Sequence, residues 1–320
     1  MSSLKEIKGR IASVRNTLKI TSAMKMIASS KLHRAQAAIG SMLPYEHRLR
    51  RIALDLMADS AAKQLPVTGG FLTEPKPEIR RVAIVAISSN STLCGGYNAN
   101  VIKKTLEVIR EYGDAGLAPG DISVSPIGRR MTDALRKAGH AYDRDYNKLI
   151  DRPSYDGAAD LAYALIDGYV NGKFDRVEIV YNHFASTVSQ IVRRDVYLPL
   201  EISGPEVEFN VAESDVERAA PMPPYTEGHT GADEAGRGNF IVEPSAEEEL
   251  RELLPKVLRL KIYTVLLDAS AAEHAARTVA MQTATDNGNN LLQTLTVAYN
   301  KGRQQKITNE ILDIIGGTLK

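Results

Sequence analysis

Residues 11–40 read IASVRNTLKITSAMKMIASSKLHRAQAAIG, with no acid, no proline and a single glycine at the end. Leu4, Ile7, Ile11, Val14 and Leu18 step by three and four, and the same frame resumes at Ala28, Leu32, Ala35, Ile39 and Met42. Apolar residues at that spacing form the seam of a long helix that needs a partner helix. Thr21 and Lys25 interrupt the frame, and Ile20, Met24 and Ile27 beside them move the expected stripe to a slightly rotated face. The stretch is also basic: Lys or Arg stands at 5, 8, 10, 15, 19, 25, 31, 34, 48, 50 and 51, against only Glu6 and Glu46. A cleavable mitochondrial presequence has that composition too, but it has no reason to hold one register over five heptads.

The partner is expected at the other end of the chain. Ser245 with Glu248 has the spacing of a capping box, Pro255 can start or kink a helix, and no proline follows it. Leu258, Ile262, Val265, Ala269, Ala272, Ala276 and Val279 step by four and three. Leu291, Leu295 and Ala298, then Ile307, Ile311 and Ile314, continue on shifted frames. One helix over 256–315 would be roughly 90 Å long. A compact chain of 320 residues is only about 50 Å across. The two terminal helices are therefore expected to project as an antiparallel pair. The competing reading is two shorter helices hinged at Gly288 and Gly302.

Between them lies a different pattern. A Pro/Gly-rich linker, PVTGGFLTEPKPE, leads into RRVAIVAISS, an apolar run of the kind buried on both faces of a parallel sheet. Helical periodicity follows at Val101, Ile102, Leu106 and Ile109, then a strand ISVSPIG, a helix near Met131–Lys137 and another near Ala158–Val170. VEIVYNHF and VSQIVRRDVYLPL are close enough to pair as a hairpin, and NFIVEP reads as an edge strand. The fold class is thus α/β: a Rossmann-like open sheet inserted between N- and C-terminal helices that form a long antiparallel coiled coil. The domains follow as 1–60, 78–243 and 244–320. Within the second, residues 201–239, acidic and rich in Gly and Pro, read as a mobile loop.

The motifs for chemistry are thin. STLCGGYNAN sits where a dinucleotide loop would, but it lacks G-x-G-x-x-G, and G-x-x-x-x-G-K-[ST] is absent. A structural turn is the simpler reading. Histidines 33, 47, 140, 183, 229 and 274 have no metal-ligand spacing, and Cys94, the sole cysteine, forms no intramolecular disulfide and, with no adjacent base, reads as a buried small side chain and not a nucleophile. No window is apolar for the eighteen or so residues that a membrane span requires. No cofactor is expected.

Three motifs carry a resemblance. KITSAMKMIASSKL at 19–32, LCGGYN at 93–98, and HAARTVAMQTATDNG at 274–288 followed by YNKGRQQKITNEI at 299–311 closely resemble the gamma chain of F-type ATP synthase. That resemblance covers essentially the whole chain and implies a rotor shaft. It would turn inside alternating alpha and beta subunits, with its α/β domain on epsilon and the c-subunit ring, in a peripheral complex on the cytoplasmic face of a bacterial membrane. Carried over by motif, contacts to alpha and beta fall on Met24, Lys25, Arg277, Arg303, Gln304, Thr308 and Glu310. The apolar tip is Ile307, Ile311, Leu312, Ile314 and Ile315, and the epsilon-facing turn is Cys94, Gly95 and Gly96. The shaft itself would be non-catalytic. Asn90, Ser91 and Thr92 replace the usual D-[KR]-G, Gln282 stands where lysine is common, and the 201–239 loop is long for the family. Two alternatives remain at this point: a nucleic-acid-binding coiled coil using the basic first helix, and a Rossmann-type enzyme with helical arms.

Overall fold

A computed structural model of the chain describes residues 4–62, 78–142, 144, 146–200 and 245–317, without the side chains of 43, 47, 54, 58–62, 246–247 and 316–317. The acidic loop, most of the linker and the NFIVEP segment lie outside the described residues. The chain divides into two compact units: Lys31–Ala276, and Met1–Ser30 with Arg277–Lys320.

In the larger unit, β1 (Val82–Ile87) is buried at every residue because it is central in the sheet. Strand order is β2-β1-β3-β4, with β2 at Ile122–Ile127, β3 at Arg176–Phe184 and β4 at Gln190–Leu198. β1 runs parallel to both neighbours, Val82 lying opposite Ile122 on one side and Arg176 on the other. β4 closes the expected hairpin antiparallel to β3, with a bulge at Val177/Glu178. Crossovers are made by α2 (Tyr97–Asp114) and by α3 (Arg129–Ala138), α4 (Lys148–Asp151) and α5 (Tyr155–Val170). Ser154 caps α5 by accepting the amide of Gly157 at 3.3 Å.

The period of two along β1 sorts its residues into two cores. Val82, Ile84 and Ala86 pack with Val101, Val108, Met131 and Leu135 from α2 and α3. Ala83, Val85 and Ile87 face the other way, into Leu161 and Leu165 of α5 and the terminal helices: Ala53 and Leu56 of α1 (Leu4–Ala62), and Leu254, Leu258 and Val265 of α6 (Ala246–Gly317). The Leu258-to-Ala276 stripe expected on α6 is buried throughout. Ser245 starts that helix by accepting the amide of Glu248 at 3.2 Å. Pro255 lies inside it without ending it.

One side of the sheet holds a buried charge. The Glu178 carboxylate accepts Arg176 Nε at 2.8 Å, Arg194 Nε at 2.7 Å and the Tyr112 hydroxyl at 2.7 Å. Three donor groups, two of them charged, satisfy this buried carboxylate. Burial and then this carboxylate push the Tyr112 hydroxyl up to about 12. Burial also raises Tyr97 and Tyr197 well above the ordinary tyrosine range, and Tyr181 with the added repulsion of Asp195. The folded chain thus keeps protons that the unfolded chain releases near pH 10. This stability is fully present below about 10 and is lost as pH rises through about 12. Tyrosinate absorbance should show these hydroxyls silent until the far-ultraviolet dichroism collapses. Smooth ionisation of all thirteen tyrosines before any loss of structure would contradict it.

Candidate functional site

In sheets of this order a ligand binds beyond the carboxyl ends of the strands, where the crossovers part. Here that place is filled by the chain itself. Ser88 Oγ accepts the amide of Met131 at 2.9 Å, the Ser89 carbonyl accepts Arg130 at 3.1 Å, and Asn90 Oδ1 accepts Arg129 at 2.8 Å. The first amides of α3, which would otherwise attract an anion, are therefore already used. Asn90 Nδ2 in turn donates to the Asn147 carbonyl and to Asp151 Oδ2, each at 2.7 Å. Asn90 thus ties three segments together, which the residue-type change at 90–92 did not reveal.

Beside it, Asn98 Oδ1 accepts the Ser89 amide at 3.0 Å, and Asn98 Nδ2 lies 3.1 Å from Cys94 Sγ. Asn182 Nδ2 donates to the Tyr97 carbonyl at 3.2 Å. Helix α6 completes the plug. The Tyr97 hydroxyl donates to the Ala269 carbonyl at 2.9 Å, His183 Nδ1 lies 2.7 Å from Asp268 Oδ2, and Asp268 Oδ1 accepts the Phe184 amide at 2.8 Å. Burial pushes the Asp268 carboxyl up from its ordinary range, while His183 and the Phe184 amide pull it down. The LCGGYN turn is therefore a structural plug. Among the described residues, no group of three or more His, Cys, Asp or Glu side chains could hold a metal ion, and no helix is long and apolar enough to cross a membrane.

Cys94 is buried, as expected of a small side chain with no adjacent base, although it lies in a turn. Leu93 adopts a left-handed φ of 67°, which leaves its own side chain 57% exposed, while Cys94 is buried against Leu32, Tyr97 and the alanines of α6. Gly95 and Gly96 remain exposed.

The smaller unit, described by itself, is an antiparallel helix pair in strict register. Thr21 Oγ1 lies 3.0 Å from Thr285 Oγ1. A methyl group added to Gly288 would meet Leu18 Cδ2 at 2.6 Å, and one added to Gly302 would meet Leu4 Cδ2 at 3.1 Å. From Thr21 down to Leu4 on α1, each step is matched by one step up α6, from Thr285 to Gly302. Both glycines are thus holes that receive leucine knobs, and the helix runs through them unbroken. The apolar stripe does not rotate at Thr21. That threonine stays in the seam, and Ile20 and Ile27 are 60% and 59% exposed. On α6 the seam runs through Met281, Thr285, Gly288, Leu292, Leu295, Tyr299 and Gly302, leaving Leu291 and Ala298 outside it.

The outer surface of this pair is cationic: Lys5, Lys8, Arg10, Arg15 and Lys19 are exposed, with Glu6 the single acid on α1 before Ser30. Met24 and Lys25 are half-buried, and Arg277 is buried. Past Gly302 every side chain through Ile315 is exposed, which includes Arg303, Gln304, Thr308, Glu310, Ile307, Ile311, Leu312 and Ile314. Thr308 bonds back to the Gln304 carbonyl at 3.0 Å, and Lys306 pairs with Glu310 at 3.5 Å. Five large apolar side chains in solvent along thirteen residues mark a surface made for contact.

A family model described as ATP synthase matches residues 3–319. The chain is 47% identical to the ATP synthase gamma chain of Phocaeicola vulgatus, with all of both chains covered. It is 46% identical to that of Bacteroides fragilis, again over the full length of both. The gamma chain of Flavobacterium johnsoniae is 37% identical over 99% of this chain and 98% of its own. Among solved structures, a chain of the Euglena gracilis mitochondrial ATP synthase (OSCP/F1/c-ring) is similar in fold at 17% identity and a TM-score of 0.60. That match covers 99% of this chain and 93% of the other. The central stalk and c-ring structure from Tetrahymena thermophila matches with a TM-score of 0.51 at 20% identity, over 83% of this chain and 99% of that one.

Proposed function

The chain belongs to the gamma chains of ATP synthase, and from that premise we propose how its two units divide the work of the central rotor shaft. Family membership makes it the subunit that couples proton flow through the membrane ring to ATP synthesis or hydrolysis in the beta subunits. Residues 1–60 and 244–320 serve as the shaft helices and 78–243 as the foot. The carrying observation is the in-register pair with a cationic surface and an exposed end, Arg303–Ile315. Exposed lysines and arginines against acidic segments of the beta subunits attract by about 1 kcal/mol or less per pair, weak enough to release as the shaft turns. Met24, Lys25, Arg303, Gln304, Thr308 and Glu310 make these contacts with alpha and beta. Arg277, being buried, acts from within the pair. Ile307, Ile311, Leu312, Ile314 and Ile315 sit in an apolar sleeve of the hexamer.

In the foot, the exposed residues of the turn, Leu93, Gly95 and Gly96, face epsilon, with Cys94 supporting them from inside. The filled crevice supports a non-catalytic role, because the place where this kind of sheet binds nucleotides is closed by Asp268, Tyr97 and Asn98. The complex lies on the cytoplasmic face of the bacterial membrane and meets it through the c ring. Full-length kinship to gamma chains sets aside the nucleic-acid reading.

A tagged copy purified from its own membranes should bring down alpha and beta in equal amounts, in excess over itself, together with epsilon. The isolated chain should give no heat of ATP binding at submillimolar concentrations. Stoichiometric ATP binding, or co-purification of nucleic acid in place of alpha and beta, would overturn this assignment.

A further inference from the structure

Before Asp268, α6 fills the sheet core with Leu254, Leu258, Ile262 and Leu266; after it, the face that the helix presents to the foot is built of small residues. Ala269, Ala271, Ala272, Ala275 and Ala276 are all buried there, and the large α6 residues of the cluster against Leu32, Ile39, Tyr97 and Phe184 are Leu267 and, at its edge, the partly buried Tyr263. Alanines have no side-chain reach beyond one carbon. A face built of them packs closely but interlocks poorly, so over this stretch packing alone offers little resistance to the helix turning about its own axis. Polar contacts also tie the foot to α6: Arg259 Nη1 donates to the Tyr163 hydroxyl at 2.6 Å. The Tyr197 and Tyr97 hydroxyls reach the carbonyls of Leu258 and Ala269, and Lys261 Nζ reaches the Val196 carbonyl at 3.2 Å. Asp268 puts a fully buried carboxylate of the helix into the sheet, where both its oxygens are held at once, by His183 and by the Phe184 amide.

A buried acid-base pair is a poor way to gain stability, since well-packed apolar residues often do as well. It differs in being directional. Turning α6 by one side chain would pull the Asp268 carboxylate from both partners while still buried, which costs far more than sliding one methyl past another. We infer that Asp268 and His183 form a torsional key, through which the foot grips the C-terminal helix against rotation about its own axis. This rests on the reading of the chain as a rotor shaft, in which turning force enters at the foot and leaves along α6. Asp268 and His183 are positioning residues: neither touches a nucleotide.

The test uses the assembled complex in membranes, carrying Asp268→Ala or Asp268→Asn. Alanine removes both contacts, whereas asparagine keeps an oxygen for the Phe184 amide and loses the charge. With assembly verified by native gel, gradient-driven synthesis should fall roughly fivefold with alanine and about twofold with asparagine, while hydrolysis by the same complexes stays within about twofold of the parent. A key that slips under load shows in that ratio; a merely structural defect lowers both rates with the amount of complex. An unchanged ratio of synthesis to hydrolysis in both variants would sink the inference, and if alanine prevents assembly, the asparagine ratio decides. Failure of the parent chain to assemble with alpha and beta would instead count against the shaft assignment.

Discussion

Ala276→Pro should cut gradient-driven ATP synthesis tenfold or more while leaving a substantial part of ATP hydrolysis. Ala276 lies deep inside α6, which runs from Ala246 to Gly317 without a break, and it is buried beside Ala272 and Ala275. Proline there removes one amide and drives its ring into the carbonyl four residues back, at a cost of about 3 kcal/mol or more and with a kink above about 20°. The catalytic residues of the beta subunits are untouched, so uncoupled turnover persists. Synthesis needs force carried along the helix past the kink. Both rates should be measured in membranes where a gel shows the complex assembled. A proportional fall of the two, or no fall, would mean that α6 does not bear torque.

Gly128→Ala should be the most damaging change in the sheet unit. Gly128 precedes α3 with φ at 99°, and a methyl group there would lie 2.2 Å from the Ser88 carbonyl oxygen and 2.6 Å from its carbon. Ser88 directly follows the central strand and its amide is bonded to the Ile127 carbonyl at 2.7 Å, so its backbone cannot readily step aside, and the same intrusion would displace Ser88 Oγ from the Met131 amide. Positive φ in a non-glycine residue and an unrelieved clash together cost on the order of 3–4 kcal/mol, or about 10 °C in midpoint for a unit of this size. Gly139 is the control: its φ is 76°, but nothing lies within 4 Å of the added methyl. Gly139→Ala should cost only about 1–2 kcal/mol of backbone strain. Calorimetry of the two variants compares them directly, and equal shifts would show that the clash at Ser88 is not felt.

The sequence was most legible where a residue's own chemistry decides its place. VAIVAI is apolar at every position and became the central strand. The two runs after Asp175 paired as a hairpin because the turn between them is short. The first helix announced its seam in Leu, Ile and Val. The second did not, since between Met281 and Gly302 its seam includes Thr285 and two glycines, whose role is to be holes. A hole is defined by the knob that enters it, and the knobs, Leu4 and Leu18, are on the other helix. The adjacent Leu291 and Leu292 could not be ranked for the same reason. Thr21 looked like an interruption because its partner hydroxyl lies 264 residues away.

At the crevice the obstacle was sequence distance. His183 and Asp268 are lone polar residues in apolar surroundings, 85 positions apart, and neither has a local pattern that names the other. Asn90 likewise gathers groups 39, 57 and 61 positions away. Cys94 is buried as its chemistry suggested, although turn residues are usually exposed. The left-handed Leu93 reverses which of two neighbours points outward.

A ligand site has to be emptied and refilled, so its polar groups return to water once in every cycle and must be stripped of it again. The end of this sheet is free of that duty. The amides of Arg129, Arg130 and Met131 and the carboxylate of Asp268 have their partners inside the chain. What other sheets of this order use as a door is here a weld, and a weld neither admits solvent nor spends free energy on expelling it.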